Sequence, residues 1–264
     1  METEKKKISP EELEEQIRAG KEEIQRIKDR MERPGKQLRP TVTREDLKAL
    51  RVAREKLTQA KEALLAAGGN YPADEADRRA AELLDNLPCF AKLTFEIGGY
   101  FGGYQTHTIE RIENGRPGER PVIKYDRQGT SICPPAPPAE DELSLPDRID
   151  SAEKVIDHLK ELHVEEWMPE YWPDRFGMVV LDGTQWSLKI EFSNGHPAWE
   201  VYGSNSYPYN FDTFRRRFGF SGKHTRKKEV LTDDNTPYLL LLRINRGDNL
   251  CANAGSCPLC FSYK

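Results

Sequence analysis

The stretch 87–112, LPCFAKLTFEIGGYFGGYQTHTIERI, is where the hydrophobic period of this chain changes from that of a helix to that of a strand. In AKLTFEI (91–97), Leu93, Phe95 and Ile97 alternate with polar neighbours, which puts them on one face of a strand. GGYFGG turns the chain, and YQTHTIERI (104–112) alternates again. ENGRPGER makes a second turn and PVIKYD (121–126) a third strand, so the spacing predicts an antiparallel meander.

Upstream the pattern is helical. In SPEELEEQIRAGKEEIQRIKDRM, Ser9 has the chemistry of an N-cap, Pro10 suits the first helical position, and Glu12 completes a capping box. Leu13, Ile17, Gly20, Ile24, Ile27 and Met31 recur in steps of four and three, one apolar seam of coiled-coil type. RPGKQLRPT interrupts it, and a second helix from near Thr43 carries Leu47, Leu50, Leu57 and Leu64, with Ala53 and Ala60 between. The double glycine 68–69 stops that helix. Residues 9–67 are therefore expected to fold back as an antiparallel hairpin, and a third helix is expected over about 73–86.

Downstream, RQGTSICPPAPPAEDELSLPDR (127–148) has five prolines and no period, and reads as a linker or surface loop. Asp150 or Ser151 begins a helix with Val155, Ile156, Leu159 and Leu162 on one stripe. An aromatic segment, EEWMPEYWPDRF (165–176), follows. MVVLDGTQWSLKIEFSNGHPAWEVYG predicts three short strands, with turns at Asp182-Gly183 and Asn194-Gly195. TPYLLLLRI (236–244) predicts a last, central strand. The fold class is α+β: a helical front (1–86), a meander (87–126), a Pro-rich connection (127–149), an α+β body (150–246) and a cysteine-bearing tail (247–264).

Composition narrows the function classes. The first 80 residues hold 36 charges and the other 184 hold 48, so the helical front is a solvated element and the core lies downstream. A net charge of −4 gives no global attraction to nucleic acid or to anionic membranes. The charged start and the absence of a long apolar run predict neither a signal peptide nor a membrane span. Five cysteines, an odd number, speak against a disulfide framework and for a cytoplasmic protein with reduced thiols.

Three groups of residues are candidates for chemistry. Cys251, Cys257 and Cys260 have C-x5-C-x2-C spacing, in which the last pair suits one tetrahedral ion; zinc with His224, Cys133, Cys89 or water as a fourth ligand is one reading, an iron–sulfur cluster or a Cys257–Cys260 redox pair another. The thiols read equally well as unligated. The second group is RRRFGFSGKHTRKK (215–228), where Arg215, Arg216, Arg217, Lys223, Arg226, Lys227 and Lys228 interleave with Phe218 and Phe220, the kit for phosphate contact with base stacking. It reads also as a solvated helix end. The third is a corner containing Trp186, Asn205, Tyr207 and Tyr209, polar and aromatic groups that suit either a structural turn or a small-ligand or peptide site. There Gly203 is expected to end a strand and permits a positive φ, and Asn210 or Asp212 is expected to cap a short helix. The five histidines match no zinc-protease spacing, and no nucleophile elbow or dinucleotide fingerprint occurs.

Asp182, Gly183, Trp186, Leu188, Ile190 and Phe192, followed by Tyr202, Gly203, Ser204, Asn205, Tyr207, Pro208 and Asn210, form D-G-x-x-W-x-L-x-I-x-[FY] … [YF]-G-S-N-x-Y-P-x-N. Over about 150–220 this resembles a family of uncharacterised bacterial domains, and the resemblance implies a shared fold unit without an assigned activity. The expectation is a non-enzymatic docking protein, acting through the helical hairpin 9–67 (by self-association or on a protein partner) or through the aromatic segment. The alternatives are nucleic-acid binding through 215–228 and an enzyme at the Asn205/Tyr207 corner.

Overall fold

The first helix, α1 (Pro10–Glu32), begins where the capping box predicts: Ser9 Oγ accepts from the Glu12 amide at 3.2 Å and Glu12 Oε2 accepts from the Ser9 amide at 3.0 Å. The second, α2 (Arg44–Ala66), is capped by Thr43, whose hydroxyl accepts from the Asp46 amide, and is terminated at Gly68, which takes φ 80°. The seam residues meet across the pair. Leu13 and Ile17 pack with Ala60 and Leu64 at one end, and Ile27 and Met31 pack with Leu50 and Ala53 at the other. The helices are thus antiparallel and bury the apolar seam between themselves. This is a computed structural model, and it describes residues 8–35, 39–99, 102–113, 121–130, 149–180 and 183–220.

Beyond α3 (Glu75–Asn86) the described residues build one sheet. Its strands are β1 (Phe90–Gly99), β2 (Gly103–Ile112), β3 (Val122–Thr130), β4 (Glu170–Tyr171), β5 (Gln185–Phe192) and β6 (Trp199–Ser204), in the order β3-β2-β1-β5-β6-β4. The two meanders share this sheet because β1 pairs antiparallel with both β2 and β5: Phe95 stands opposite His107 on one side and Leu188 on the other. Only β4 runs parallel, against Tyr202 and Gly203 of β6.

One face of the sheet carries the core. Leu93, Phe95, Ile97, Ile109, Leu188, Ile190 and Val201 are buried, while their alternates, including Lys92, Glu96, Lys189 and Glu191, point to the other face. Onto the buried face pack Leu83 and Leu87 at the end of α3, Val155 and Leu159 of α4 (Ala152–Glu161), and Phe211 and Phe214 of α5 (Phe211–Arg217). Among the described residues no helix is long and apolar enough to cross a membrane.

Several boundaries differ from the sequence reading. The third strand continues to Thr130, four residues into the stretch read as a linker, because β2 is long enough to pair with all of it. Met178–Val180 form no strand; Val179 is 86% exposed, so these apolar residues lack a sheet partner to order them. Gly203, which permits a positive φ, does not take one; the positive φ of this corner is at Asn205 (φ 52°). Gly203 is a glycine for another reason: a Cβ there would run into the Trp186 indole. The strand expected at 236–244 lies outside the described residues.

Candidate functional site

The corner after β6 is held by its own polar groups. Asn205, 4% exposed, bridges to Thr184 twice: its amide donates to the Thr184 carbonyl, and its Oδ1 accepts from the Thr184 amide, both at 2.9 Å. Trp186 Nε1 donates to the Ser206 carbonyl at 2.9 Å, and its ring lies 4.6 Å from Phe211 and 6.3 Å from Tyr207. Asn210 is the N-cap residue of α5, yet its side chain makes no cap bond. It accepts from Trp167 Nε1 at 3.0 Å and donates to the Leu162 carbonyl, tying α4, the aromatic segment and α5 together. Trp186, Asn205 and Tyr207 are therefore brought together, but as a buried packing unit.

Tyr209 belongs to a different constellation, at the junction of the hairpin with the body. Glu166, on the 3₁₀ turn Val164–Glu166, accepts a two-pronged bond from Arg54 of α2 (2.9 and 2.6 Å). Lys28 of α1 donates to the Glu166 carboxylate at 3.2 Å and to its carbonyl at 2.9 Å. Arg54 also donates to the Tyr209 hydroxyl at 3.1 Å. Beside them Glu32, 2% exposed, accepts from Arg175 at 2.9 Å and from the Tyr209 amide at 3.2 Å, while Asp29 takes the other Arg175 nitrogen at 2.6 Å. Burial pushes the Glu166 carboxyl upward, but Lys28 and Arg54 outweigh it and hold the group below the usual range. Glu32 goes the other way: its burial is not offset by Arg175 and Lys28, and its carboxyl is raised. Sequence reading singled out Tyr209, for the corner, but missed the charged residues around it, because charges beside an apolar seam look the same whether they face water or another surface.

His163 sits at φ 50° with Nδ1 3.1 Å from Glu165 and 3.8 Å from Glu166. Among the described residues these three form the group with metal-ligand atoms within 4.8 Å of one another. Glu166 already has Lys28 and Arg54 as counter-cations, so a metal ion there would compete with two ammonium or guanidinium groups.

The basic stretch is divided. Arg215 turns back to the Phe220 carbonyl, Arg216 to the Asp212 carbonyl and the Thr213 hydroxyl, and Arg217 to Glu161 and His158 on α4. The three arginines of α5 are thus engaged locally in three directions. Phe218 and Phe220 are fully buried and give no stacking face to a base. Lys223, His224, Arg226, Lys227 and Lys228 lie outside the described residues, as do Cys133 and the tail cysteines Cys251, Cys257 and Cys260; Cys89 is a free thiol packed against the core.

The aromatic segment splits by side. Trp167 and Tyr171 are buried, whereas Trp172 is 45% exposed. Strand parity sets Glu170 beside Tyr202, itself 47% exposed, on the outer face of the sheet. Trp172 Nε1 donates to Glu170 at 2.9 Å and the Tyr202 hydroxyl to Glu200 at 2.6 Å, so two carboxylates frame two rings. The backbone of this edge is covered: β4 takes part of β6, and Arg79, stacked on Trp199 at 4.3 Å, donates to the Glu200 carbonyl at 2.6 Å.

No protein-family model, curated protein or solved structure matches this chain.

Proposed function

We propose that the protein is a docking protein that holds a protein partner on the aromatic edge formed by Trp172 and Tyr202. The observation that carries this reading is two large rings, each nearly half exposed, at one side of the sheet: Tyr202 stands opposite Glu170 in register and Trp172 is bonded to Glu170, in a chain whose other tryptophans are buried. Isolated exposed aromatics are common, but two gathered about one carboxylate, Glu170, make a surface of defined chemistry. With Glu170 and Glu200 around the rings, the complement is a segment carrying apolar and basic side chains. Since the β6 backbone is capped by β4 and Arg79, the partner meets side chains rather than adding a strand.

The contacts above favour this surface over the other candidates. The hairpin seam is filled by its own two helices, which leaves charged outer faces for any contact through residues 9–67. Asn205, Trp186 and Tyr209 direct their polar atoms into the fold, which favours a structural corner over an enzyme site. The local bonds of Arg215, Arg216 and Arg217 weigh against a nucleic-acid groove. The likeness of 150–220 to uncharacterised bacterial domains enters as a shared fold unit, and the odd cysteine count as grounds for a cytoplasmic setting.

The test compares partners co-purifying with the wild-type chain, with Trp172→Ala/Tyr202→Ala, and with Lys124→Ala at the opposite sheet edge. A partner retained by wild type and Lys124→Ala, and bound at least about tenfold more weakly by the double variant once purified, supports the reading. Identical capture by all three proteins sinks it.

A further inference from the structure

The hairpin and the body have separate apolar cores. The seam forms two clusters of its own, and the sheet with α3, α4 and α5 forms a third. Among the described residues, Tyr209 is the body side chain that reaches a hairpin cluster, while Tyr71, in the connection after α2, closes the other. What joins the two parts is charge: Lys28 and Arg54 on Glu166, Glu32 and Asp29 on Arg175, and Arg39 on Asp212 and over the Tyr207 ring at 4.5 Å. Lys21 and Lys61 meet Asp77 of α3 in the same way.

An ionic junction differs energetically from an apolar one. Charges taken out of water lose hydration, and their mutual attraction roughly repays that loss. Separating the surfaces returns Lys28, Glu32, Arg54, Glu166 and Arg175 to water, so the gain in hydration offsets most of the lost Coulomb energy. Neither core is opened by the movement: Tyr209 leaves the hairpin cluster it reaches, and each core keeps its own apolar contacts. Local openings that leave cores intact occur at lower free energy than global unfolding.

From this geometry we infer that the hairpin is a hinged strap, held by an ionic latch centred on Glu166 and Glu32, that lifts from the body as a unit. The hinge is the connection 67–74, which contains Gly68 at φ 80° and Gly69. The strap moves with its helices intact. Its closed state shields the Tyr209 amide, whose acceptor is the hairpin residue Glu32. This inference is independent of the aromatic edge as a docking surface.

The Tyr209 amide is the probe. In native-state hydrogen exchange on the full-length wild-type chain, followed by NMR, it exchanges at least about a hundredfold faster than the Leu188 and Ile190 amides of β5, while amides in the middle of α1 and α2 stay protected. Glu166→Gln, and separately Lys28→Met, accelerate Tyr209 exchange at least about a hundredfold, since breaking a buried pair removes that order of stabilisation, and leave the Tyr209 amide still exchanging well ahead of β5. Neither residue touches Tyr209 through its backbone, so local fraying of the turn would not respond to them. Tyr209 and β5 amides exchanging together in the wild type would overturn the strap. So would a Tyr209 amide that neither variant accelerates. The wild-type hierarchy decides the matter even if one variant fails to fold.

Discussion

Asn205 occupies left-handed backbone at φ 52° and uses its side chain to accept from Thr184, so two separate properties are asked of one residue. Substituting glycine keeps the backbone freedom and loses the acceptor; substituting alanine loses both. Asn205→Ala is therefore expected to cost roughly 2–4 kcal/mol, and Asn205→Gly about 1 kcal/mol less, in urea unfolding. His107 makes a pH prediction. It is 2% exposed, its Nδ1 meets the Tyr125 hydroxyl at 2.7 Å, and its Nε2 is buried without a partner. Burial first, and then Arg127 and Arg215, lower its pKa to about 4. The folded state thus resists protonation that the unfolded chain accepts near 6.5. Its contribution is complete above pH 6.5 and is lost as pH falls from there toward about 4, up to about 3 kcal/mol in all. Unfolding free energies at pH 7 and pH 4.5 should therefore differ less in His107→Phe than in wild type; an equal difference would show that another group governs this range.

Helix and strand starts follow local chemistry, and their joints do not. The capping boxes at Ser9 and at Asp74 are complete, each with its third residue bonding back to the cap. The junction of α1 and α2 with the body is set by Glu166, whose carboxylate is shared between Arg54 and Lys28. Glu166→Gln leaves two cations without their counter-charge, and is expected to destabilise the chain by roughly 3–5 kcal/mol. Because the folded pKa of Glu166 is depressed, its stabilisation is present above the ordinary carboxyl range and disappears as pH falls through the folded value. Wild type should therefore lose more stability than Glu166→Gln on acidification below about pH 4.5. Parallel acid curves for the two proteins would remove Glu166 from the account. The edge of β6 makes a further joint: Arg79 holds the Glu200 carbonyl and the Trp199 ring, which leaves the exposed rings of Tyr202 and Trp172, rather than an open backbone, as what that edge presents.

The separation of apolar cores predicts how the chain responds to truncation. Removing residues 1–70 takes away two self-contained clusters and leaves the sheet with α3, α4 and α5. The truncated chain should keep the near-ultraviolet signal of the buried Trp167 and Trp186, with a lower Tm because Glu166 and Arg175 lose their counter-charges. Loss of that signal would mean the hairpin is needed to form the body core. Much of the architecture is legible locally. The alternation in 91–97 and 104–112 and the spacing of Leu13 through Met31 specify strand, strand and helix, because a side chain's face follows from backbone period alone. The limits of that legibility are equally physical. Whether β1 joins β5 depends on which edges meet after the chain has crossed 131–148, and antiparallel partners of similar alternation are interchangeable on paper. Gly203 reads along the chain as a strand end that permits a positive φ, and in the fold it admits the Trp186 ring, a contact between strands that no local pattern encodes. Trp172 and Trp167 stand five residues apart in one segment, yet one faces water and the other the core. Lys28, Glu32, Arg54 and Glu166 read as solvated charge along the chain. Local periodicity determined the elements and their apolar faces; which charges were buried, which aromatic stayed outside and which strands became neighbours were decided in three dimensions, because burial is a property of the surface that arrives opposite a residue, not of the residue.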